Sequence, residues 1–248
     1  MTLRPLVSRA DAVVALAAIV GTPACDAHTH DAQETNATAV VSLVNMLMPS
    51  QQVIFPCTNA GYGIGGAGEC TEASPLRPVS LYGRTKVAAE EVILGHPRGT
   101  SLRLATLFGA SPRMRLDLMV NDFVYQAVRF HALQLHEGGF RRNFLHVRDA
   151  ARAICHVIGG QVHPGVYNVG NSRANMTKRQ LCERIAERVP EFKWDEVEGK
   201  DQDQRDYMVS NAKIQATGFL CVHSLDDGID ELVRAYRMPL VGPAWRSA

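Results

Sequence analysis

Residues 12–18 read AVVALAA, and this short apolar run is the part of the sequence that decides the fold. Valine, alanine and leucine follow one another without polar alternation, which is the pattern of a parallel strand buried on both faces of a sheet. Residues 31–48 then carry apolar side chains at helical spacing, and Gln52 to Pro56 form a second short apolar strand. The order of strand, helix and strand indicates a βαβ unit.

The same alternation continues toward the middle of the chain. Ser80 is a candidate N-cap for a helix through Val92, and residues 101–107 form the next strand. Alternating strands and helices predict an α/β fold with a Rossmann-like, doubly wound parallel sheet.

After Gly109 the pattern becomes less regular, which predicts a second, smaller α+β lobe. We predict helices at 116–130, 147–158, 178–189 and 227–236, and strands at 133–135, 143–146 and 166–169. We expect a division of the chain into an incomplete cofactor and catalytic domain at 1–110, a segment that weaves back onto it at 140–170, and a substrate-binding lobe at 111–139 and 171–248.

Composition and charge exclude several classes of protein. Hydrophobic residues make up 46% of the chain and charged residues 21%, as in soluble globular proteins rather than disordered or membrane proteins. The 26 basic and 25 acidic residues lie without long blocks, which excludes a basic surface for nucleic acid. Six cysteines without a Cys-x-x-Cys pair indicate reduced thiols and a cytoplasmic protein. His28 and His30 have no neighbouring ligand set, so we assign no metal.

The N-terminus offers an alternative to the cytoplasmic assignment. Arg4 and Arg9 precede the apolar run, and residues 22–25 read TPAC, an order similar to a lipoprotein signal. Asp11 abuts the run, which is short for a signal core, and the next segment continues as a domain. An exported lipoprotein therefore stays as one alternative.

Tyr82 and Lys86 lie four residues apart, on one face of the predicted helix. A neighbouring lysine stabilises a phenolate and lowers the pKa of the tyrosine, so that the tyrosine exchanges a proton with a sugar hydroxyl while a nicotinamide exchanges the hydride. On its own this spacing also fits a solvated pair on a helix surface.

The glycine-rich run at residues 61–68 contains the pattern Gly-x-Gly-x-x-Gly twice. A dinucleotide fingerprint opens a helix directly after a strand, whereas this run leads into Glu69, Pro75 and Pro78. We therefore expect a mobile loop beside the active site and not a cofactor fingerprint.

Several motifs resemble one family in the correct order along the chain. Residues 80–90, SLYGRTKVAAE, resemble the active-site helix of the extended short-chain dehydrogenase/reductases, the NAD-dependent epimerase/dehydratase family that acts on nucleotide sugars. The supporting segments are LAA at 16–18, TNAT at 35–38, TNAGYG at 58–63, RNFLHVRD at 142–149, YNVG at 167–170 and DQRDY at 203–207. The resemblance covers essentially the whole chain.

The resemblance implies roles for ten residues. It places Thr58, Tyr82, Lys86 and Asn36 at the catalytic centre, and it implies NAD or NADP as the cofactor. The cofactor-binding residues that it implies are Leu16, Ala17, Ala18, Tyr82 and Lys86. The residues that it implies for the substrate, a nucleotide-diphosphate sugar, are Thr58, Asn121, Arg142 and Arg205, because an arginine fork suits the diphosphate. It also implies a homodimer in which the helices at 31–48 and 80–92 pair across a twofold axis.

The residues after Thr58 bear on the reaction. Members of the family that dehydrate the sugar carry an acidic pair there and decarboxylating members carry a glutamate, whereas this chain has Asn59 and Ala60. A departing hydroxyl would lack its general acid, so reversible oxidation at a ring carbon is favoured. The leading hypothesis is a nucleotide-sugar epimerase; the alternatives are a ketoreductase and a non-catalytic protein that binds nucleotide sugars.

A Rossmann half normally opens with a strand, a glycine turn, a helix and an acidic ribose ligand about twenty residues on. None of these precedes Ala12. We therefore expect that about fifty to sixty residues of βαβαβ structure are missing, and that cofactor binding by this chain alone is weak.

Overall fold

The computed structural model describes residues 3–199 and 205–238. Its first half contains α1 (Arg4–Val7), β1 (Ala12–Val14), α2 (Thr22–Ala27), α3 (Thr29–Gln33), α4 (Ala39–Val44), β2 (Gln52–Thr58), β3 (Ile64–Cys70), α5 (Leu81–Leu94), β4 (Gly99–Leu104) and β5 (Thr106–Phe108). Its second half contains α6 (Met119–Phe130), β6 (Ala132–Leu135), β7 (Arg141–His146), α7 (Val147–Ile158), β8 (Gly165–Val169), β9 (Asn175–Thr177), α8 (Lys178–Ala186), β10 (Lys193–Glu196), β11 (Asp206–Val209), α9 (Ala212–Gln215) and α10 (Leu225–Arg237).

The main sheet has four parallel strands in the order β1-β2-β4-β8. Side chains of β2 point alternately to its two faces, and both faces are covered. Val53 and Phe55 pack with Ala89 and Ile93 of α5 on one face, whereas Ile54 packs in the cluster that contains α7 on the other. The predicted α/β fold with a parallel, Rossmann-like sheet is therefore confirmed.

The remaining strands form three small sheets beside a group of helices. β5, β7 and β9 make one sheet, β6 pairs with β10, and β3 pairs with β11. α6, α8 and α10 bury a common apolar core whose members include Val120, Val124, Leu181, Ile185, Ile229 and Leu232. These helices thus share an apolar core distinct from the clusters that cover the main sheet.

Most of the glycine-rich run is a strand, which corrects the predicted mobile loop. From Ile64 onward it belongs to β3, which pairs in parallel with β11, whereas Gly61 lies in the 3-10 helix at Asn59–Tyr62. A Cβ at Gly65 would lie 3.2 Å from both Cys70 Sγ and Tyr207 Cβ, so glycine lets the two strands and the Tyr207 side chain approach closely. The run opens no helix, which agrees with rejecting a dinucleotide fingerprint.

Several other predicted elements have different bounds. β1, predicted to run to residue 18, ends at Val14, α6 begins at Met119 and α8 ends at Ala186. The helix predicted at 31–48 consists of α3, a π-helical turn at Glu34–Thr38 and α4, and it ends at Val44. The strand predicted at 101–107 divides at Ala105 into β4 of the main sheet and β5 of a small sheet. Ala105 N still donates to Val169 O at 2.9 Å, so the chain leaves one sheet and enters the next within a single residue. Hydrophobic periodicity does not reveal a change of partner strand.

Across the part of the chain that the structure describes, no helix is long and apolar enough to cross a lipid bilayer.

Candidate active site

A cavity of about 400 Å³ lies where strands of the main sheet end. Pro56 to Thr58 at the carboxyl end of β2 and Leu104 at the end of β4 form part of its wall, the position at which open α/β sheets bind ligands. Seven of the ten residues predicted for the site line it: Leu16, Ala18, Thr58, Tyr82, Lys86, Asn121 and Arg205. Ala17, Asn36 and Arg142 lie outside the lining.

Tyr82 lies in the first turn of α5, where Ser80 caps the helix by accepting a hydrogen bond from Gly83 N at 3.1 Å. Burial raises the pKa of the Tyr82 phenol well above its usual value, and the Cys57 thiol adds to this, whereas Arg205 and Arg115 act in the opposite direction. The sequence predicts a lowered pKa for this tyrosine. That prediction is wrong for the chain by itself, because loss of solvent outweighs the nearby cations. The phenol is protonated at neutral pH.

Lys86 is 3% exposed, and its Nζ lies 3.8 Å from the centroid of the Phe55 ring. Burial lowers the pKa of Lys86 to about 8, although the Cys57 thiol acts to raise it. Within residues 3–199 and 205–238, Lys86 Nζ donates no hydrogen bond to the protein. The ammonium group is therefore poorly solvated and lies beside the cavity with its donors available to a ligand.

Thr58 ends β2 and begins the short 3-10 helix at Asn59–Tyr62. Its hydroxyl oxygen accepts a hydrogen bond from Ala60 N at 3.1 Å, which fixes the side chain at the cavity wall. A hydroxyl also has a proton to donate, so Thr58 is able to bind an oxygen of a ligand in the cavity.

Asn36 lies outside the cavity lining and stabilises the segments that form it. It lies in the π-helical turn, a conformation that is frequent near functional sites, and it is 1% exposed. Its Oδ1 accepts from Ile19 N at 2.8 Å, and its Nδ2 donates to Ile19 O at 2.9 Å and to Thr85 Oγ1 at 3.3 Å. Asn36 therefore connects the segment after β1, which lines the cavity, to the helix that carries Tyr82.

Asn121 lines the cavity, but its amide is engaged with main chain. Its Oδ1 accepts from Gly109 N at 3.0 Å, and its Nδ2 donates to Arg115 O at 2.9 Å. Both partners belong to residues 109–118, the connection between β5 and α6, which we call the arginine loop. Asn121 holds this loop in place.

Arg142 is fully buried, whereas Arg205 lines the cavity. Arg142 Nη1 donates to Arg141 O at 2.9 Å and to Arg205 O, and its guanidinium carbon lies 5.7 Å from the centroid of the Tyr207 ring. The sequence suggests two arginines on one diphosphate. In the structure one of them lies in the cavity wall and the other supports its main chain.

Sequence reasoning missed Arg113 and Arg115, which line the cavity from the arginine loop. Arg115 forms an ion pair with Asp117, with Nε–Oδ1 at 3.0 Å and Nη2–Oδ2 at 2.5 Å. The available signal was their position directly after β5, because loops at the carboxyl ends of parallel strands meet at the ligand site. Together with Lys86 and Arg205 they give the lining four basic side chains, and the lining contains no aspartate or glutamate.

The cavity suits one end of the expected cofactor. Leu16 and Ala18 give it an apolar wall beside Tyr82 and Lys86, which fits a nicotinamide ring and its ribose. The described residues contain no glycine-rich turn between a strand and a helix to hold the diphosphate of a dinucleotide. They also contain no group of three histidine, cysteine, aspartate or glutamate side chains arranged to hold a metal ion.

Comparisons with known proteins agree with this geometry. The chain is 26% identical over 187 residues to the low-salt glycan biosynthesis protein Agl12 of Haloferax volcanii, which covers 72% of this chain and 59% of that protein. It is 29% identical over 188 residues to a dTDP-glucose 4,6-dehydratase of Streptomyces griseus, which covers 72% of this chain and 56% of that enzyme. The chain thus spans a little over half the length of these two relatives.

A solved structure with a similar fold is the UDP-glucose 4-epimerase of Thermotoga maritima in complex with UDP-glucose. It has a TM-score of 0.81 and 22% identity, and the match covers 95% of this chain and 80% of that one. The family model described as "NAD dependent epimerase/dehydratase family" matches residues 2–170. This chain belongs to the NAD-dependent epimerase/dehydratase family.

Proposed function

We propose that this chain supplies the acid–base and substrate-binding part of an enzyme that epimerises a nucleotide sugar by reversible hydride transfer. The observation that carries the proposal is the position of Tyr82, Lys86 and Thr58 around one cavity at the carboxyl end of the sheet. Relatives and a similar structure named for dTDP-glucose and UDP-glucose support a nucleotide sugar as the substrate. Bound NAD or NADP would supply the hydride acceptor and donor.

The side chains of this chain have distinct roles in the proposed reaction. The Tyr82 hydroxyl gives its proton to a ketone oxygen on the sugar and recovers one from the alcohol in the reverse direction. Thr58 donates a hydrogen bond to the same oxygen and orients it. Arg205 binds the diphosphate, which anchors the sugar at a fixed distance from Tyr82.

The cavity wall favours epimerisation over dehydration. Expulsion of a hydroxyl needs a general acid beside the leaving group. Asn59 follows Thr58, is completely buried and lies outside the lining, and the lining has no carboxyl side chain. Proton exchange at a single oxygen, which needs only Tyr82, fits this cavity better.

A ketoreductase is the second candidate, and the state of Tyr82 favours it. Burial raises the pKa of Tyr82, so the phenol is protonated and ready to donate to a ketone. An epimerase must also accept the proton back, which requires the phenolate. An epimerase returns the sugar with inverted configuration at one carbon, whereas a ketoreductase releases the alcohol as its final product.

The test is an assay of the purified chain, and of a longer form that binds the cofactor, with UDP-sugars and dTDP-sugars and added NAD or NADP, with products identified by proton NMR. Interconversion of two epimers supports the epimerase, and net reduction of a keto-sugar nucleotide supports the ketoreductase. Calorimetry with the same ligands measures binding separately. Binding without turnover, also in a longer form that binds the cofactor, would instead support the non-catalytic alternative.

We also propose a homodimer in which the helical segments α3–α4 and α5 pair across a twofold axis. Exposed apolar side chains on or near these helices support it: Val41 is 41% exposed, Met48 51% and Leu94 39%. Light scattering at micromolar concentration tests the proposal, and a monomer would contradict it.

A further inference from the structure

His146 is a buried imidazole beside the cavity that the proposed reaction does not use. It ends β7 and is 2% exposed. The Phe108 ring lies edge-to-face against it, with 5.3 Å between ring centroids, and the His223 ring stacks on it at 4.6 Å. A Cβ at Gly228 would lie 3.0 Å from His146 Cδ2, so glycine lets α10 approach the ring closely. Phe108 and Val147, its neighbours, line the cavity.

The two ring nitrogens of His146 have different partners, which assign the position of the proton. Nδ1 accepts from Arg148 N at 3.2 Å and thereby caps α7. Nε2 lies 2.9 Å from Glu231 Oε2. Although burial acts to raise it, hydrogen bonds from His146 and Ala110 N lower the pKa of Glu231, so the carboxylate is ionised and only accepts. The neutral imidazole therefore carries its proton on Nε2 and donates it to Glu231.

His146 and Glu231 also contact the beginning of the arginine loop. Glu231 Oε2 accepts from Ala110 N at 3.4 Å. Gly109 has a φ of 110°, and a Cβ there would lie 2.5 Å from His146 Nε2, so the main chain of Gly109 lies directly against the ring. Gly109 itself lines the cavity. The two side chains thus connect β7 and α10 to one wall of the cavity.

A second proton on the imidazole would disrupt this arrangement. It would occupy Nδ1 and face the Arg148 N–H, so two donors would oppose each other and α7 would lose its cap. Burial lowers the pKa of His146, and His223 and Arg148 act in the same direction, whereas Glu231 opposes them. The titratable and charged groups that surround the stacked imidazoles are Arg148, Asp149 and Arg152 of α7 and Asp227 and Glu231 of α10.

Resting on the proposed function for the identity of the ligand, we infer that His146 and Glu231 are positioning residues of the nucleotide-sugar site. They hold the first residues of the arginine loop at the cavity wall, and they do so only while the imidazole is neutral. Because the pKa of His146 lies below its ordinary value of 6.5, the folded chain takes up the disrupting proton only on the acid side of pH 6.5. Affinity for the ligand is therefore complete above that pH and is lost below it.

Two substitutions separate the two functions of the ring. His146→Asn keeps an acceptor near the position of Nδ1 but is too short to reach Glu231, whereas His146→Gln keeps a donor near the position of Nε2 but loses the cap of α7. Both should lower the melting temperature by a few degrees, so a purely structural role predicts equal losses of affinity. By calorimetry, we expect His146→Asn to bind UDP-glucose about fivefold more weakly and His146→Gln to change less than about twofold. His163→Gln is the control, because His163 is exposed and outside the cavity lining.

Glu231 offers the same comparison from the other side of the bond. Glu231→Gln keeps one acceptor oxygen for His146 and Ala110 and should bind UDP-glucose like the unaltered chain, whereas Glu231→Ala should bind it about fivefold more weakly. The pH profile adds a measurement with UDP-glucose, since its diphosphate is a diester and lacks the phosphate ionisation near about pH 6. The affinity of the unaltered chain should fall about threefold from about pH 7 to about pH 5, and that of His146→Gln should not.

Several outcomes would overturn the inference. Equal losses of affinity in His146→Asn and His146→Gln, or parallel pH profiles in His146→Gln and the unaltered chain, would contradict the positioning role. If a His146 variant does not fold, the two Glu231 variants decide, and equal affinities there would contradict it as well. Failure of the unaltered chain to bind UDP-glucose and dTDP-glucose would overturn the proposed function. Hydrogen exchange without ligand then tests the inference by itself: residues 107–118 should exchange faster in His146→Asn than in His146→Gln, and equal rates would refute it.

Discussion

Replacing Asn36 with alanine tests how the cavity is held together, and its effect follows from three hydrogen bonds. The substitution removes the acceptor of Ile19 N, which has no other partner among the residues that the structure describes. Ile19 O keeps the Cys25 thiol as a donor at 3.3 Å but loses the amide of Asn36. The bond to Thr85 Oγ1 at 3.3 Å is long and contributes least.

A typical hydrogen bond contributes about 1 kcal/mol to stability, and an unpaired main-chain donor costs about 1–3 kcal/mol. Because one N–H is left without a partner and one carbonyl keeps a weaker one, we expect Asn36→Ala to lower the free energy of unfolding by about 2–3 kcal/mol. The freed segment lines the cavity through Leu16 and Ala18, so affinity for nucleotide sugars should also fall.

Urea denaturation followed by circular dichroism gives the free energy of unfolding. Asn45→Ala is the control, because Asn45 is exposed at the end of the same helical segment and should change stability by less than about 0.5 kcal/mol. Asn36→Asp tests the donor separately: it keeps an acceptor for Ile19 N but places a carboxylate oxygen against Ile19 O, and it should destabilise at least as much as alanine. A loss for Asn36→Ala within the range of the control would refute the reasoning.

In a longer, active form that binds the cofactor, Tyr82→Phe should abolish turnover and leave calorimetric affinity for nucleotide sugars nearly unchanged, since only the proton-transferring hydroxyl is lost; retained turnover would contradict its assignment. Lys86 has a pKa of about 8 when folded and 10.5 ordinarily, so the unfolded chain binds more protons between these values and stability rises with pH across that interval. Lys86→Met should remove this dependence and stabilise the fold at pH 7 by about 1–3 kcal/mol in urea denaturation, whereas an unchanged pH profile would contradict the buried ammonium. Arg205→Ala and Arg142→Ala should both weaken binding of the nucleoside diphosphate, and Arg142→Ala should also lower the melting temperature because Arg142 is fully buried; an unchanged melting temperature for Arg142→Ala would refute its supporting role. A polypeptide of these 248 residues should carry no stoichiometric NAD or NADP by absorbance and mass spectrometry, because the described residues offer no glycine turn for the dinucleotide diphosphate.

The main sheet was predictable because apolar runs mark its strands without reference to a partner: β2 and β4 are largely buried, as such runs predict, whereas β1, which lies at the edge of the described sheet, is only half-buried. Residues 12–18 and 52–56 identify two neighbouring strands in this way, and Ser80 identifies the start of α5 by its capping side chain. The pairing of β3 with β11 was not predictable, because the partner strand lies more than a hundred residues away and glycines carry no periodic signal. Pairing with a distant strand, and not the local sequence, therefore determines that β3 is a strand.

The location of the site was predictable for a related reason. Parallel strands end at one edge of a sheet, so motifs at several strand ends must meet there, and Thr58, Tyr82 and Lys86 line one cavity. Their electrostatics were not predictable. The spacing of Tyr82 and Lys86 indicates proximity, but the degree of burial determines the direction in which the pKa of Tyr82 moves.

The degree of burial also distinguishes residues that contact a ligand from residues that only hold the ligand-binding residues in place. Asn36, Asn121 and Arg142 are each no more than 1% exposed, and each donates hydrogen bonds to main-chain carbonyls of segments that line the cavity. A buried polar side chain is stable only when it is hydrogen-bonded, and a ligand that comes and goes cannot be its permanent partner. Each of these three side chains donates to main chain within the protein, so their effect on binding acts through Ile19, Arg115 and Arg205. A family motif therefore identifies which residues belong to the site. The solvent exposure of each residue then indicates whether it contacts a ligand or positions another residue that does.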